Sequence, residues 1–255
     1  MNAPDTAVKY RAPALDKGLD ILELLAAQPA GMTRGEIVRA LDRGPSEIYR
    51  MIERLVARGY VGRSVEGDRY ALTIKLFQLG SAFPPLRRLV AQAQPLMDLF
   101  AQDTGQSVHL VTPDLGQSYV VAQASSSSPW EFRLRLGAEL DLFTTGSGQT
   151  LLAFMTPAQL EHTLNMRGGA EREIPSPLAT ALEEIRLAGY RMAPSQQLVG
   201  VSDISVPVAT GGQDIVGVLT CPFLPLVGAK GSSVETQLAD CLSALQNTAN
   251  RIALI

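Results

Sequence analysis

Residues 33–72 constrain this chain more than any other stretch. Thr33-Arg34-Gly35-Glu36 has the pattern of a capping box, a hydroxyl at the N-cap and a carboxylate three residues on. The spacing predicts a short helix from there to Leu41 and a tight turn at Asp42-Arg43-Gly44. Pro45 suits the first position of a second helix, where its missing N–H costs little. That helix should run to Arg58, with Gly59 as its stop signal. Tyr60-Val61-Gly62-Arg63 and Arg69-Tyr70-Ala71-Leu72 read as two strands around a Val65-Glu66-Gly67-Asp68 turn. Helix, turn, helix and hairpin in that order make a winged helix-turn-helix, a shape that fits the major groove of double-stranded DNA.

Charge agrees with that reading only when it is resolved along the chain. The net charge is −3, which argues against a protein that is basic throughout. Residues 1–85 hold 12 Lys/Arg against 10 Asp/Glu, whereas residues 86–255 hold 10 against 15. Seven arginines and four acids fall between Arg34 and Arg63. A basic module on an acidic body suits a DNA-binding head with a separate sensor. No run of about eighteen apolar residues occurs, so neither a membrane span nor a membrane partner is expected. Met1–Tyr10 lacks the apolar stretch of a signal peptide. Cys221 and Cys241 are too few for a disulfide framework. The expected location is therefore the cytoplasm, at the nucleoid.

The remaining pattern divides the chain into four parts. Residues 1–13 are polar and expected to fray. An amphipathic helix starts at Ala14 and carries Leu15, Leu19, Leu22 and Leu25 or Ala26 on one face. Together with the winged module and a helix over Thr73–Phe83, it fills residues 14–83. Pro84-Pro85 marks a domain boundary. Residues 84–104 read as a long linker helix with Pro95 as a possible kink. Beyond Gly105, residues 105–255 switch to short strands at Ser107–Thr112, Ser118–Gln123 and Glu131–Leu136, with a polar loop over Ser125–Pro129. Helices are expected at Gly148–Met155, Pro157–Met166 and Pro177–Ala188. Strands at Ile204–Val208 and Ile215–Pro222 flank a Gly211-Gly212 turn, and a closing helix spans Ser232–Ile255. The mixture predicts an α+β domain on a central, largely antiparallel sheet.

On these residues the chain resembles the IclR family of bacterial transcription regulators. The resemblance runs from about Ala14 to Ile255. It rests on Ala14-Leu15-Asp16-Lys17-Gly18-Leu19-Asp20-Ile21-Leu22 in the first helix and on Leu55-Val56-Ala57-Arg58-Gly59-Tyr60-Val61 at the second helix of the motif. Tyr70-Ala71-Leu72, Leu76-Phe77-Gln78-Leu79-Gly80, Gly105-Gln106-Ser107-Val108-His109-Leu110, Leu136-Gly137-Ala138-Glu139-Leu140 and Gly189-Tyr190 add to it. It implies a GAF-like α/β effector-binding domain joined by a linker helix to the DNA reader. It also implies a homodimer or homotetramer that regulates a catabolic operon.

Candidate DNA contacts follow from helix spacing. Ile48, Ile52, Leu55 and Val56 keep to one face, which leaves Ser46, Glu47, Tyr49, Arg50 and Arg54 on the other. Arg50 can fork onto guanine and Glu47 can accept from cytosine. Ser46 and Tyr49 suit phosphates or bases. Arg43 in the turn, with Arg63 and Arg69 on the wing, would meet phosphates and set register. A solvated charged face would explain the same residues, and for Arg54 and Arg58 it is the simpler account. By the resemblance, a basic or hydroxyl residue is frequent where Glu47 stands, so the operator should differ from those of relatives.

Candidate effector contacts are fewer. Leu142-Phe143-Thr144-Thr145-Gly146-Ser147-Gly148-Gln149-Thr150 precedes an apolar helix, and free N–H groups at a helix start attract anions. An ordinary glycine-rich N-cap would look the same. The resemblance makes this the effector loop, with Thr145, Gly146 and Ser147 in the pocket. Ala193 stands where many relatives carry Asp, Asp203 where Cys is frequent, and Val218 where Ser is common. Asp203 and Thr220 complete the expected polar set; Cys221 is a further pocket candidate, although Cys221 and Cys241 read most simply as buried small apolar residues. The lost polar positions suggest an aromatic or otherwise hydrophobic carboxylic acid, with Trp130, Phe132, Leu140, Phe143 and Met192 as candidate lining residues, although core packing is the simpler reading for most of them.

His109 and His162 have no partner at metal-ligand spacing, and neither a metal nor a cofactor is expected. Two other classes remain open from residues alone. One is a hydrolase using Ser147 with either histidine, which Gly146-Ser147-Gly148 fits badly because it is not G-x-S-x-G. The other is a regulator whose sensor serves assembly only.

Overall fold

The structure is a computed structural model that describes residues 12–65, 67–126, 132–167, 173–209, 214–225 and 233–253. The chain divides into two compact units, Met1–Pro84 and Pro85–Ile255.

The first unit is built on three helices, α1 (Pro13–Ala26), α2 (Arg34–Leu41) and α3 (Pro45–Ala57). Each contributes isoleucines to one core, where Ile21, Ile37, Ile48 and Ile52 are completely buried. The capping box forms: Thr33 Oγ1 accepts from the Glu36 N–H at 3.3 Å, and the Glu36 carboxylate accepts from the Thr33 N–H at 2.7 Å. Asp42 ends α2 in the left-handed region at φ +49°, a conformation that a short polar side chain tolerates. The hairpin follows as β2 (Val61–Arg63) and β3 (Arg69–Leu72), antiparallel in register. A two-residue strand, β1 (Met32–Thr33), adds to β3 from the other side and was not expected from the sequence. It needs Gly31, whose φ is +66° and whose place a Cβ could take only 2.6 Å from the Tyr70 carbonyl oxygen. Helix α4 (Lys75–Ala82) closes the unit.

The second unit opens with α5 (Pro84–Thr104), which carries Pro95 within its length. Its later turns bury Ala93, Met97, Phe100 and Ala101, so this half of the expected linker is part of the second unit's core. The chain continues through β4 (Val108–Asp114), β5 (Gln117–Ala124), β6 (Glu139–Leu140), α6 (Gly146–Phe154), α7 (Pro157–Arg167) and α8 (Ser176–Ala188). It then forms β7 (Arg191–Pro194), β8 (Ser202–Ala209), β9 (Ile215–Phe223) and α9 (Val234–Ala253). The strands make one antiparallel sheet in the order β6-β5-β4-β9-β8-β7. One face packs Leu110, Ile204 and Leu219 with α5 and α9. The other packs Val111 and Val218 with Leu151 and Leu152 of α6 and Ile185 of α8. A sheet covered on both faces gives the unit two cores.

Two expectations need correction. The strand over Glu131–Leu136 does not form: residues 132–136 are irregular, and Glu131 lies outside the described residues. The chain reaches β5 only from Gly137 onward, where the Gly137 N–H donates to the Val120 carbonyl at 2.8 Å and the Ala138 carbonyl accepts from Val120 at 3.0 Å. Gly137 makes the preceding turn at φ +76°. Strand β7 was also missed, because four residues bounded by Gly189 and Ser195 carry too little pattern. The Gly211-Gly212 turn lies outside the described residues.

Candidate functional site

In the first unit the working face is the side of α3 that the core leaves free. Gly44 is the N-cap and Pro45 opens the helix. With Ile48 and Ile52 inward, Ser46, Tyr49, Arg50 and Arg54 are exposed. The Arg34 guanidinium, at the start of α2, sits 5.1 Å from the centre of the Tyr49 ring. Arg43 stands 3.9 Å from Asp20, a long and half-exposed ion pair that leaves its charge available. Arg63 on the wing is exposed; its Nε donates to the Gly67 carbonyl, and its guanidinium lies 5.7 Å from the Tyr70 ring centre.

Two of the expected DNA contacts are already engaged. The Glu47 carboxylate accepts from Lys17 Nζ at 2.8 Å, and that bond and charge hold its pKa below the usual glutamate value. Glu47 thus ties α3 to α1. Arg69 donates from Nε to the Ala30 carbonyl at 3.1 Å and from its terminal amino group to the Gly31 carbonyl at 2.9 Å, with Glu36 at 3.6 Å. It fastens the wing to the α1–β1 loop.

In the second unit a cleft opens over the α6 face of the sheet. A transverse row of residues crosses the sheet there: His109 on β4 pairs with Thr220 on β9, Thr220 with Ser205 on β8, and Ser205 with Arg191 on β7; His109, Thr220 and Arg191 line the cleft. Thr220 Oγ1 is 2.8 Å from the hydroxyls of both Ser147 and Ser205, so the row is bonded to the first turn of α6. Thr145 caps that helix by accepting from the Gly148 N–H at 3.1 Å. A Cβ on Gly148 would sit 2.5 Å from the Asp141 carbonyl, so only glycine lets α6 start this close to the preceding loop. The loop is fixed in turn by Asp141, whose carboxylate accepts from Arg167 at 2.8 Å and from the Phe143 and Thr144 N–H groups.

Three titratable side chains line the cleft. His109 is buried, and burial alone brings its pKa down from 6.5 to about 4, so the imidazole is neutral. Arg191 Nε donates to Gln149 Oε1 at 2.8 Å. Burial lowers the Arg191 pKa while Asp203 acts to raise it. Burial likewise raises the Asp203 pKa, against the pull of Ser195 and Arg191. Phe132, Leu134, Leu140 and Leu198 give the cleft an apolar wall.

Leu140, Thr145, Gly146, Ser147, Asp203 and Thr220 therefore line the cleft as the sequence suggested. Phe143, Met192 and Cys221 do not. Phe143 packs against the α6 core, with the Arg167 guanidinium 4.4 Å from its ring centre. Successive strand residues face opposite sides; Met192 is turned away from Arg191 and is exposed, and Cys221 is turned away from Thr220 into the α5–α9 core. There its Sγ lies 3.6 Å from that of Cys241. Trp130 lies outside the described residues. His109 and Arg191 were not assigned to the pocket from sequence; pairing parity with Thr220 and Ser205 is the signal that would have found them. Among the described residues no group of three His, Cys, Asp or Glu side chains could hold a metal ion. None of their helices is long and apolar enough to cross a membrane.

Comparison with known proteins bears on both sites. The model of the IclR helix-turn-helix domain matches residues 14–64, and that of the bacterial transcriptional regulator IclR C-terminal domain matches residues 86–253. The HTH-type transcriptional regulator BhcR of Paracoccus denitrificans is 28% identical over 239 residues, covering 91% of this chain and 85% of its own. Two solved structures share the fold. The IclR of Thermotoga maritima is 24% identical with a TM-score of 0.71, covering 94% of this chain and 96% of its own. An IclR homologue of Microbacterium hydrocarbonoxydans, solved with 4-hydroxybenzoate, is 22% identical with a TM-score of 0.74, covering 94% and 98%. The relatives are named as regulators and repressors, a non-enzymatic role. A winged DNA reader and a cleft-bearing sensor, each matched by its own family model, place this chain in the IclR family of DNA-binding transcriptional regulators.

Proposed function

We propose that this protein binds operator DNA through α3 and that a small-molecule effector in the α6 cleft modulates that binding, so as to control a catabolic operon from the cytoplasm. The observation that carries the reading is the cleft itself, where the polar row across β4, β9, β8 and β7 meets the start of α6. The effector is an aromatic or otherwise hydrophobic carboxylic acid. Its anionic group faces Arg191, Ser147 and Thr145, and its apolar part faces Phe132, Leu134 and Leu140. The homologue solved with 4-hydroxybenzoate supports an acid of this kind. The effector can act on DNA binding only as far as it binds one arrangement of the protein better than another.

On DNA, Arg50 reads base edges, Ser46, Tyr49 and Arg54 flank it, and Arg43 and Arg63 meet phosphates. Glu47 and Arg69 keep their partners within the protein and position the reader. The chain acts as a homodimer or homotetramer. The support is on and around α4, where Ile74, Phe77, Leu79 and Phe83 are more than half exposed and a second copy would cover them.

Arg50→Ala tests the reader. It should weaken operator binding by about 1–3 kcal/mol, roughly fivefold to 150-fold, with little change on random DNA. An equal loss on both, measured by fluorescence anisotropy at one salt concentration, contradicts base reading by Arg50.

A further inference from the structure

Two opposite charges share the cleft without pairing. Arg191 is held through Nε by Gln149 Oε1. Gln149 is itself fixed, because its Nε2 donates to the Phe143 carbonyl at 2.8 Å. This leaves the outer edge of the guanidinium, its two Nη groups, with no hydrogen-bond acceptor among the described residues. Asp203 lies on the same wall, and no ion pair joins it to Arg191 among the described residues. Both groups converge on one glycine. A Cβ at Gly146 would lie 3.0 Å from Arg191 Nη1 and 3.5 Å from Asp203 Cβ. Arg191 and Asp203 therefore flank the same glycine, near enough for each charge to act on the other.

A simple carboxylate placed on Arg191 would put two like charges side by side, because Asp203 is within reach of it. A hydrogen-bond donor beside the ligand's carboxylate changes that sign: Asp203 then accepts from the donor and favours the ligand. The donor must sit close to the ligand's carboxylate, because Arg191 and Asp203 meet at a single glycine. A hydroxyl on the far side of an aromatic ring could not reach.

We propose that Arg191 and Asp203 form a two-point clamp for an organic acid that carries a hydroxyl or amino group on the carbon next to its carboxylate. The carboxylate takes the Nη edge of Arg191, the adjacent donor takes Asp203, and the apolar remainder of the acid rests on Phe132 and Leu134. Gln149 is a positioning residue that holds Arg191 in place. The clamp rests on the reading of this cleft as the effector site and narrows it to 2-hydroxy and 2-amino acids with an apolar side group.

The test is calorimetric titration of the full-length protein with mandelate, phenylglycine and phenylacetate, which share a phenyl ring and differ only in the group beside the carboxylate. At least one of the first two should bind about tenfold or more tighter than phenylacetate, the size of a buried charge-assisted hydrogen bond. Asp203→Ala should erase that preference by strengthening phenylacetate relative to the others. Arg191→Gln should weaken all three. The ratio between ligands is a readout that a merely structural role for Asp203 would leave unchanged, and the wild-type series needs no variant to fold. Equal binding of phenylacetate and the two substituted acids, or an Arg191→Gln protein that binds acids as well as wild type, overturns the clamp and leaves the effector reading standing. If these three acids, benzoate and 4-hydroxybenzoate all fail to bind wild type, the effector reading falls and the clamp falls with it.

Discussion

The two units of this chain place their working groups in opposite ways. In the first, the core takes the isoleucine face of α3, and Ser46, Tyr49, Arg50 and Arg54 are turned to solvent. In the second, the working groups turn inward on a row that crosses four strands, and Ser147, Thr220 and Ser205 are bonded to one another in a buried chain. The outward site is made by one helix and its spacing. The inward site is made by strand register, and its polar atoms are also part of the fold. An exposed side chain of α3 can therefore be removed from the first unit at little cost to stability, whereas most changes among the cleft's buried hydroxyls disturb packing as well.

The strongest way to break this comparison is to damage one core and watch the other. Ile52 is completely buried in the core of the first unit. Ile52→Ala should cost that unit about 2–5 kcal/mol. Hydrogen exchange should then show faster exchange in α1, α2 and α3, with β4, β8 and β9 unchanged. An equal loss of protection in both units would show that the cores are not separate.

The histidine part of the acid response should fall on the second unit alone. An ordinary histidine takes up its proton near pH 6.5, and His109 in the folded protein does so only at about 4. Between those values the unfolded chain binds the extra proton and the folded one does not. Stability that is complete above pH 6.5 is therefore lost as pH falls toward 4, by up to about 3 kcal/mol. The first unit contains no histidine, since His109 and His162 are the two in the chain. Denaturant unfolding at stepped pH should show the loss in wild type and a flatter profile in His109→Gln. A profile of the same steepness in the variant would contradict a neutral, buried His109.

The smallest expected effect sharpens the account of the reader. Thr33→Ala removes the cap of α2 and its reciprocal bond with Glu36. It should destabilise the first unit by about 1 kcal/mol. Its effect on DNA affinity should vanish at temperatures where the unit remains fully folded, as a comparison of thermal melting with anisotropy would show.

The same contrast explains what the sequence reveals. The capping box, Pro45 at the start of α3, and the alternation of Ile48 and Ile52 are local signals. Local signals place the winged motif within a residue or two. The wing arginines show where this stops. Arg63 and Arg69 look alike in sequence, yet Arg69 is spent on the Ala30 and Gly31 carbonyls, 39 and 38 residues away. In the sensor, Gly146, Ser147 and Thr145 were legible because a helix start is local. Met192 and Cys221 were misplaced because a strand residue's face depends on parity, and parity depends on which strand it pairs with. Arg191 escaped notice for the same reason. The strand expected at Glu131–Leu136 failed because the pairing slot on β5 is filled by the residues from Gly137 onward, a fact of register that hydropathy does not carry.

The most direct test of the whole account is an anisotropy titration of DNA from the protein's own upstream region. It would use the full-length protein at two or more salt concentrations, with and without an acid shown by calorimetry to bind. The expected result is binding that is tighter than to random DNA, falls steeply with salt, and shifts when the acid is present. Binding that does not distinguish the two DNAs, or an affinity for the upstream DNA that is the same with the acid bound as without it, would contradict the account.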